Sequence, residues 1–215
     1  LAQNYSFTVP ELEMAVTIRP DASIAIVYDI TFDNTGSPID IVDIGTPTDE
    51  YDLSQFQASI DGQPLTDIRT SEYIDVGVEI HLGQHAIPPG ETGTLHVEFP
   101  MPDMVYADTT NEDMASFQIT PTWFDGDLVA GTGDVEIRVI TPEGSEPDEV
   151  LYQNVQFNKK FEDDQGRVVA VWLFEDVYPT QAYEVGISFP RRTMDRVVEI
   201  TFWDLLGRWL SNAAG

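Results

Sequence analysis

Apolar side chains recur at every second position along most of this chain, and that period commits it to β-structure before any other property is considered. Leu12, Met14, Val16 and Ile18 alternate with Glu13, Ala15, Thr17 and Arg19, and Ile24, Ile26, Tyr28, Ile30 and Phe32 repeat the pattern after the Pro20-Asp21 turn. The longest unbroken alternation is Ile74, Val76, Val78, Ile80 and Leu82, with Asp75, Gly77, Glu79, His81 and Gly83 on the other parity. Each such run describes a strand with one buried face and one wet face. Ile39, Ile41, Val42 and Ile44 change phase midway, which predicts a bulge or a bend between sheets. Val168 to Phe174 is apolar on both parities and predicts a central strand covered on both faces, entered through the Asp163-Asp164-Gln165-Gly166 hairpin turn.

Turn signals every ten or so residues, without a repeat of fixed period, point to an all-β antiparallel β-sandwich rather than a solenoid. With 215 residues and a proline cluster at Pro100 and Pro102, the expected organisation is two sandwich-like subdomains, 1–102 and 103–192. A C-terminal amphipathic or juxtamembrane segment follows over 193–215.

Charge narrows the surroundings. Ten basic residues face 38 acidic ones, for a formal charge of −28, while 42% of the residues are apolar, so the charge coats a folded core and is not a disordered tail. A surface of this sign repels phosphate backbones, which excludes nucleic acid as a partner. It is best tolerated where salt or divalent ions screen it, an extracytoplasmic or high-salt setting. The absence of cysteine removes disulfides, thiolate catalysis and zinc–thiolate sites together. Leu1-Ala2-Gln3 fits the trailing end of a signal-peptidase site.

Four constellations carry possible chemistry. If the strands around Pro88-Pro89 pair with each other, His81 faces His96 and Glu79 faces Glu98, a donor set for a divalent metal; otherwise the connection crosses between sheets and these are surface residues. Asp125, Asp127 and Asp134, in a glycine-rich stretch, offer oxygen ligands of the kind calcium selects, against a plain solvated turn. Trp123, Phe124, Tyr106 and Tyr178 lie in or beside turns and present rings for stacking on sugars, against a role as core plugs. Arg191, Arg192 and Arg196, followed by Trp203, Leu206, Trp209 and Leu210, suit anionic headgroups and a membrane interface, against a docked amphipathic element. No Gly-x-Ser-x-Gly elbow or phosphate loop occurs.

Three stretches, Phe117-Gln118-Ile119-Thr120-Pro121-Thr122-Trp123-Phe124, Arg167-Val168-Val169-Ala170-Val171-Trp172 and Tyr183-Glu184-Val185-Gly186-Ile187-Ser188-Phe189-Pro190-Arg191, together resemble the extracytoplasmic N-terminal β-region of an uncharacterised family of predicted bacterial membrane proteins. The resemblance covers residues 5 to 192 and implies a location outside the membrane and an anchor that follows. It brings no catalytic residues. The expected function is therefore a non-catalytic, membrane-anchored surface or assembly module, with membrane or a membrane-protein complex as partner and no cofactor. A calcium-dependent or carbohydrate-binding module is the alternative, and a glycoside hydrolase-like enzyme with paired carboxylates the third.

Overall fold

In the computed structural model, residues 5–199 are described. Leu1-Ala2-Gln3 and the interaction residues Trp203, Leu206, Trp209 and Leu210 lie outside them. The alternating runs form strands as their period requires. β1 (Phe7–Ile18) and β2 (Ile24–Asn34) bury every even-numbered residue from Leu12 onward, β8 (Thr92–Met101) buries its odd-numbered ones, and β11 (Gly133–Ile140) does so from Val135.

These strands make the centre of an eight-stranded sheet, which is completed by β4 (Gln57–Ile60), β5 (Gln63–Leu65), β13 (Lys159–Glu162) and β14 (Val168–Val177). The order is β13-β14-β11-β1-β2-β8-β4-β5. Every ladder in it is antiparallel except β1–β11, which runs parallel from Glu11 opposite Asp134 to Thr17 opposite Ile140. The sheet thus takes strands from both sides of residue 102, and the 1–102 and 103–192 segments meet along this parallel ladder.

Two smaller sheets complete the sandwich. One contains β12 (Leu151–Gln153), β15 (Val185–Pro190), β10 (Met114–Ile119) and β9 (Tyr106–Ala107) in that spatial order. The other is β3 (Ile41–Gly45), β7 (Gly77–His81) and β6 (Ile68–Thr70). The inward residues of all three sheets share one hydrophobic cluster, from Phe7 and Met14 through Ile44 and Val78 to Trp172 and Phe189. Stacked Phe56 and Phe99, 4.4 Å apart, continue into Tyr28. Among the described residues no helix is long and apolar enough to cross a membrane.

Two strands are shorter than their periodicity predicts. Residues 71–76 form a bend, and β7 begins only at Gly77. The Ser71 hydroxyl accepts the backbone N–H groups of Tyr73 and Ile74, which diverts those donors from a ladder. A Cβ at Gly77 would lie 2.4 Å from the Ile44 carbonyl oxygen, so glycine permits the close backbone approach at the start of the strand. The phase change at Ile39–Ile44 corresponds to a break: Ile39 bridges Ile87, and β3 starts at Ile41.

Candidate functional site

The described site residues that the sequence predicts lie apart: Glu79 and His81 on β7, His96 and Glu98 on β8, Asp134 on β11, and Asp125, Asp127, Arg191, Arg192 and Arg196 outside the strands. β7 pairs with β3 and β6, while β8 pairs with β2 and β4. The connection through Pro88-Pro89 crosses between sheets, so the expected His81–His96 and Glu79–Glu98 pairs do not form. Residues on the polar faces of consecutive strands face each other only when those strands share a ladder.

His96 instead pairs with Asp29 across β2, Nδ1 to carboxylate 2.8 Å, and Glu98 sits opposite Val27 and Gln57. His81 bonds through Nε2 to Glu79 on its own strand, 2.7 Å away. Glu79 stands between two cross-strand partners, another acid, Asp43, on β3 and Arg69 on β6. These two carboxylates are secured separately: the Ser71 hydroxyl donates to Asp43 and the Glu72 N–H to Glu79. The His81 hydrogen bond holds the Glu79 carboxyl below its ordinary range. Burial pushes that of Asp43 up, against the Ser71 hydrogen bond. Among the described residues no group of three or more His, Asp or Glu side chains converges as a metal site requires.

The acidic loop residues serve the backbone. Asp125 accepts the N–H of Asp127, 2.8 Å, and closes its own turn. Asp134 stands opposite Glu11 in the parallel ladder and accepts the N–H of Asp176, 2.9 Å. Asp125 is therefore occupied with its own turn and Asp134 with the β11–β14 pairing.

The C-terminal arginines are engaged by carboxylates of their own chain. Arg191 bonds Glu199 at 2.7 Å, Arg192 bonds Glu149 at 2.6 Å, and Arg196 pairs with Asp103. Arg192 depresses the Glu149 carboxyl. The three guanidinium groups line an open cleft of about 530 Å³ with Glu112, Asp113, Met194 and Asp195. Beyond them Val198 hydrogen-bonds to both Val105 and Ala107, so the chain runs beside β9 as far as the described residues go.

The aromatic residues expected near turns divide by burial. Phe124 is a core plug, edge-on to Phe7 and Phe32 at centroid distances of 6.0 and 5.6 Å. Trp123 and Tyr178 are 55% and 56% exposed. Tyr178 follows Val177, which pairs with Gly133 at the start of β11, and Trp123 precedes Phe124, whose backbone is joined to Pro179. The loops bearing them are fastened on every side. Thr122 donates its N–H to the Tyr28 hydroxyl, 2.9 Å, and accepts the N–H of Gly45 through Oγ1, 3.1 Å. Phe124 donates to the Pro179 carbonyl, 3.1 Å, and the Tyr183 hydroxyl donates to the Tyr178 carbonyl, 3.0 Å. Since Thr122 and Phe124 are both buried, the residue between them is turned outward.

Sequence reasoning missed the Asp43–Glu79 pair, because it depends on the β3–β7 register between strands separated by more than thirty residues. The loop aromatics were visible as turn-flanking rings, but burial alone separates Trp123 from Phe124.

No protein family's profile matches the chain, and no curated protein matches it. Solved structures do. An M1 zinc metallopeptidase from Deinococcus radiodurans is similar over 87% of this chain, in a mutant form with a TM-score of 0.55 and in the unmutated form with 0.53, both at 14% identity. A mutant two-domain M1 zinc metallopeptidase bound to L-arginine is similar over 86% of the chain at 15% identity, TM-score 0.53. At these identities the likeness is one of fold. The chain spans 43% of each of those proteins, less than half their length.

Proposed function

We propose that this chain is a non-catalytic β-module of a larger extracytoplasmic assembly, joined to a membrane or membrane complex through the residues after Glu199. One observation carries the reading: nearly the whole chain overlays on less than half of a two-domain protein, so this fold occurs elsewhere as one part of a larger machine. The polar groups in reach of one another serve the fold, with Asp125 closing its turn, Asp134 bonding β14 at Asp176, and Arg191, Arg192 and Arg196 neutralised by neighbouring acids. The resemblance of residues 5 to 192 to extracytoplasmic β-regions, and the anionic surface, support the location.

Two measurements test it. The purified chain saturated with zinc should hydrolyse aminoacyl-naphthylamides no faster than buffer; turnover that disappears with a chelator contradicts the non-catalytic reading. The chain ended after Glu199 should keep its β-sheet circular dichroism and fail to float with phosphatidylglycerol-containing liposomes that carry the full chain. Equal flotation of both forms contradicts the anchor.

A further inference from the structure

We propose that the loop end carrying Trp123 and Tyr178 is a docking surface for a basic protein segment, one that presents lysine or arginine side chains to the two rings. This rests on the reading of the chain as an assembly module and names the chemistry of its partner.

Exposure comes first. A tryptophan with over half its surface in water is costly to leave bare, and Trp and Tyr are the side chains that most often dominate protein interfaces. Here the backbone beside the rings is also held in advance. Trp123 is flanked by Thr122, bonded to Tyr28 and Gly45, and by Phe124, bonded to Pro179 and packed against Phe7 and Phe32. Docking onto loops already fixed by buried neighbours costs little ordering entropy.

Charge selects the occupant. The segments 45–52, 120–132 and 176–184 contain no lysine or arginine. They expose Asp49, Glu50, Asp125, Asp127, Asp176 and Glu184, of which Asp125 and Asp127 follow Trp123 closely in the chain and Asp176 shortly precedes Tyr178. Exposed rings on segments whose only charges are carboxylates attract guanidinium and ammonium groups twice over, by cation–π contact and by ion pairing. The same carboxylates repel phosphate and anionic lipid. A second copy of this chain is disfavoured because its clustered arginines Arg191, Arg192 and Arg196 are each already paired with a carboxylate of their own chain.

The test uses a fluorescein-labelled decapeptide alternating glycine and arginine, titrated into the full chain in 150 mM NaCl. A chain of this charge attracts any polycation, so the informative comparison is between variants of equal charge. Trp123→Ala is expected to weaken binding at least tenfold and Tyr178→Ala at least threefold. Phe161→Ala, which removes an exposed ring from an edge strand elsewhere, is expected to bind as wild type does. Melting temperatures within a few degrees of wild type establish that the variants are folded. Equal binding by Trp123→Ala and Phe161→Ala overturns the proposal, as does a response of Trp123 to cellohexaose with none to the peptide. Either outcome removes this surface and leaves the module reading, which stands or falls on zinc-dependent turnover and liposome flotation.

Discussion

Asp43 and Glu79 face each other across β3 and β7, yet their environments pull them apart. Burial raises the Asp43 carboxyl, so the folded state holds its proton more tightly than the unfolded state does. Stability associated with this group is therefore lost as pH rises from the ordinary aspartate range through its folded value. The hydrogen bond from His81 lowers Glu79, whose contribution is present above the ordinary glutamate range and lost as pH falls through its folded value. Two substitutions should consequently shift stability in opposite directions. Asp43→Asn keeps an acceptor for Ser71 and removes one of two like charges in direct opposition, so it should stabilise by about 0.5 kcal/mol at pH 7. Glu79→Gln should destabilise by about 1 kcal/mol at pH 7. Urea titrations should find both differences shrinking toward pH 3; a stabilising Glu79→Gln at pH 7 contradicts this account. The polar parity of Glu79 and His81 was legible from alternation. Their neighbours were not, because Asp43 and Ser71 reach them through register, and a string of alternating residues fixes which face a side chain takes without saying which strand lies beside it.

The strands themselves were largely legible. β1, β2, β8 and β11 follow the alternation, β15 is instead buried at all six positions, and the covered strand over Val168–Phe174 is β14, with β13 and β11 on its flanks. What periodicity could not supply was the end of a strand set by a local hydrogen bond, as at Ser71, or by close backbone approach, as at Gly77. Gly133 is the sharpest instance of close approach: a Cβ there would fall 1.9 Å from the Val9 carbonyl oxygen, beside the parallel ladder that ties β1 to β11. Gly133→Ala should therefore force the two strands apart and cost about 3 kcal/mol or more by the measure of overpacked cores. A denaturant midpoint equal to wild type contradicts that. At the free edge, β13 holds both of the chain's lysines, Lys159 and Lys160, next to exposed Phe161. Charged edge residues oppose strand addition. Lys159→Val should produce concentration-dependent self-association by light scattering, and a strictly monomeric variant contradicts the edge-guarding role.

For the whole molecule, a charge of −28 works against a core that extends through all three sheets. Raising NaCl from 50 mM to 1 M shortens the screening length from about 14 Å to about 3 Å and should raise Tm by about 4 °C or more. Because the large sheet joins strands from both sides of residue 102 through the β1–β11 ladder, calorimetry should record one transition with matching calorimetric and van't Hoff enthalpies. Composition made the anionic charge legible and set the expectation that nucleic acid is not a partner. It left open which part of that surface matters, since acids abound everywhere and only burial and loop geometry set Trp123 and Tyr178 apart. The most direct test of the account is hydrogen–deuterium exchange of the full chain with and without the glycine–arginine decapeptide. The account predicts slowed exchange in residues 45–52, 120–128 and 176–184 and unchanged exchange elsewhere. Protection at the 191–196 cleft with none at the aromatic loops would contradict it.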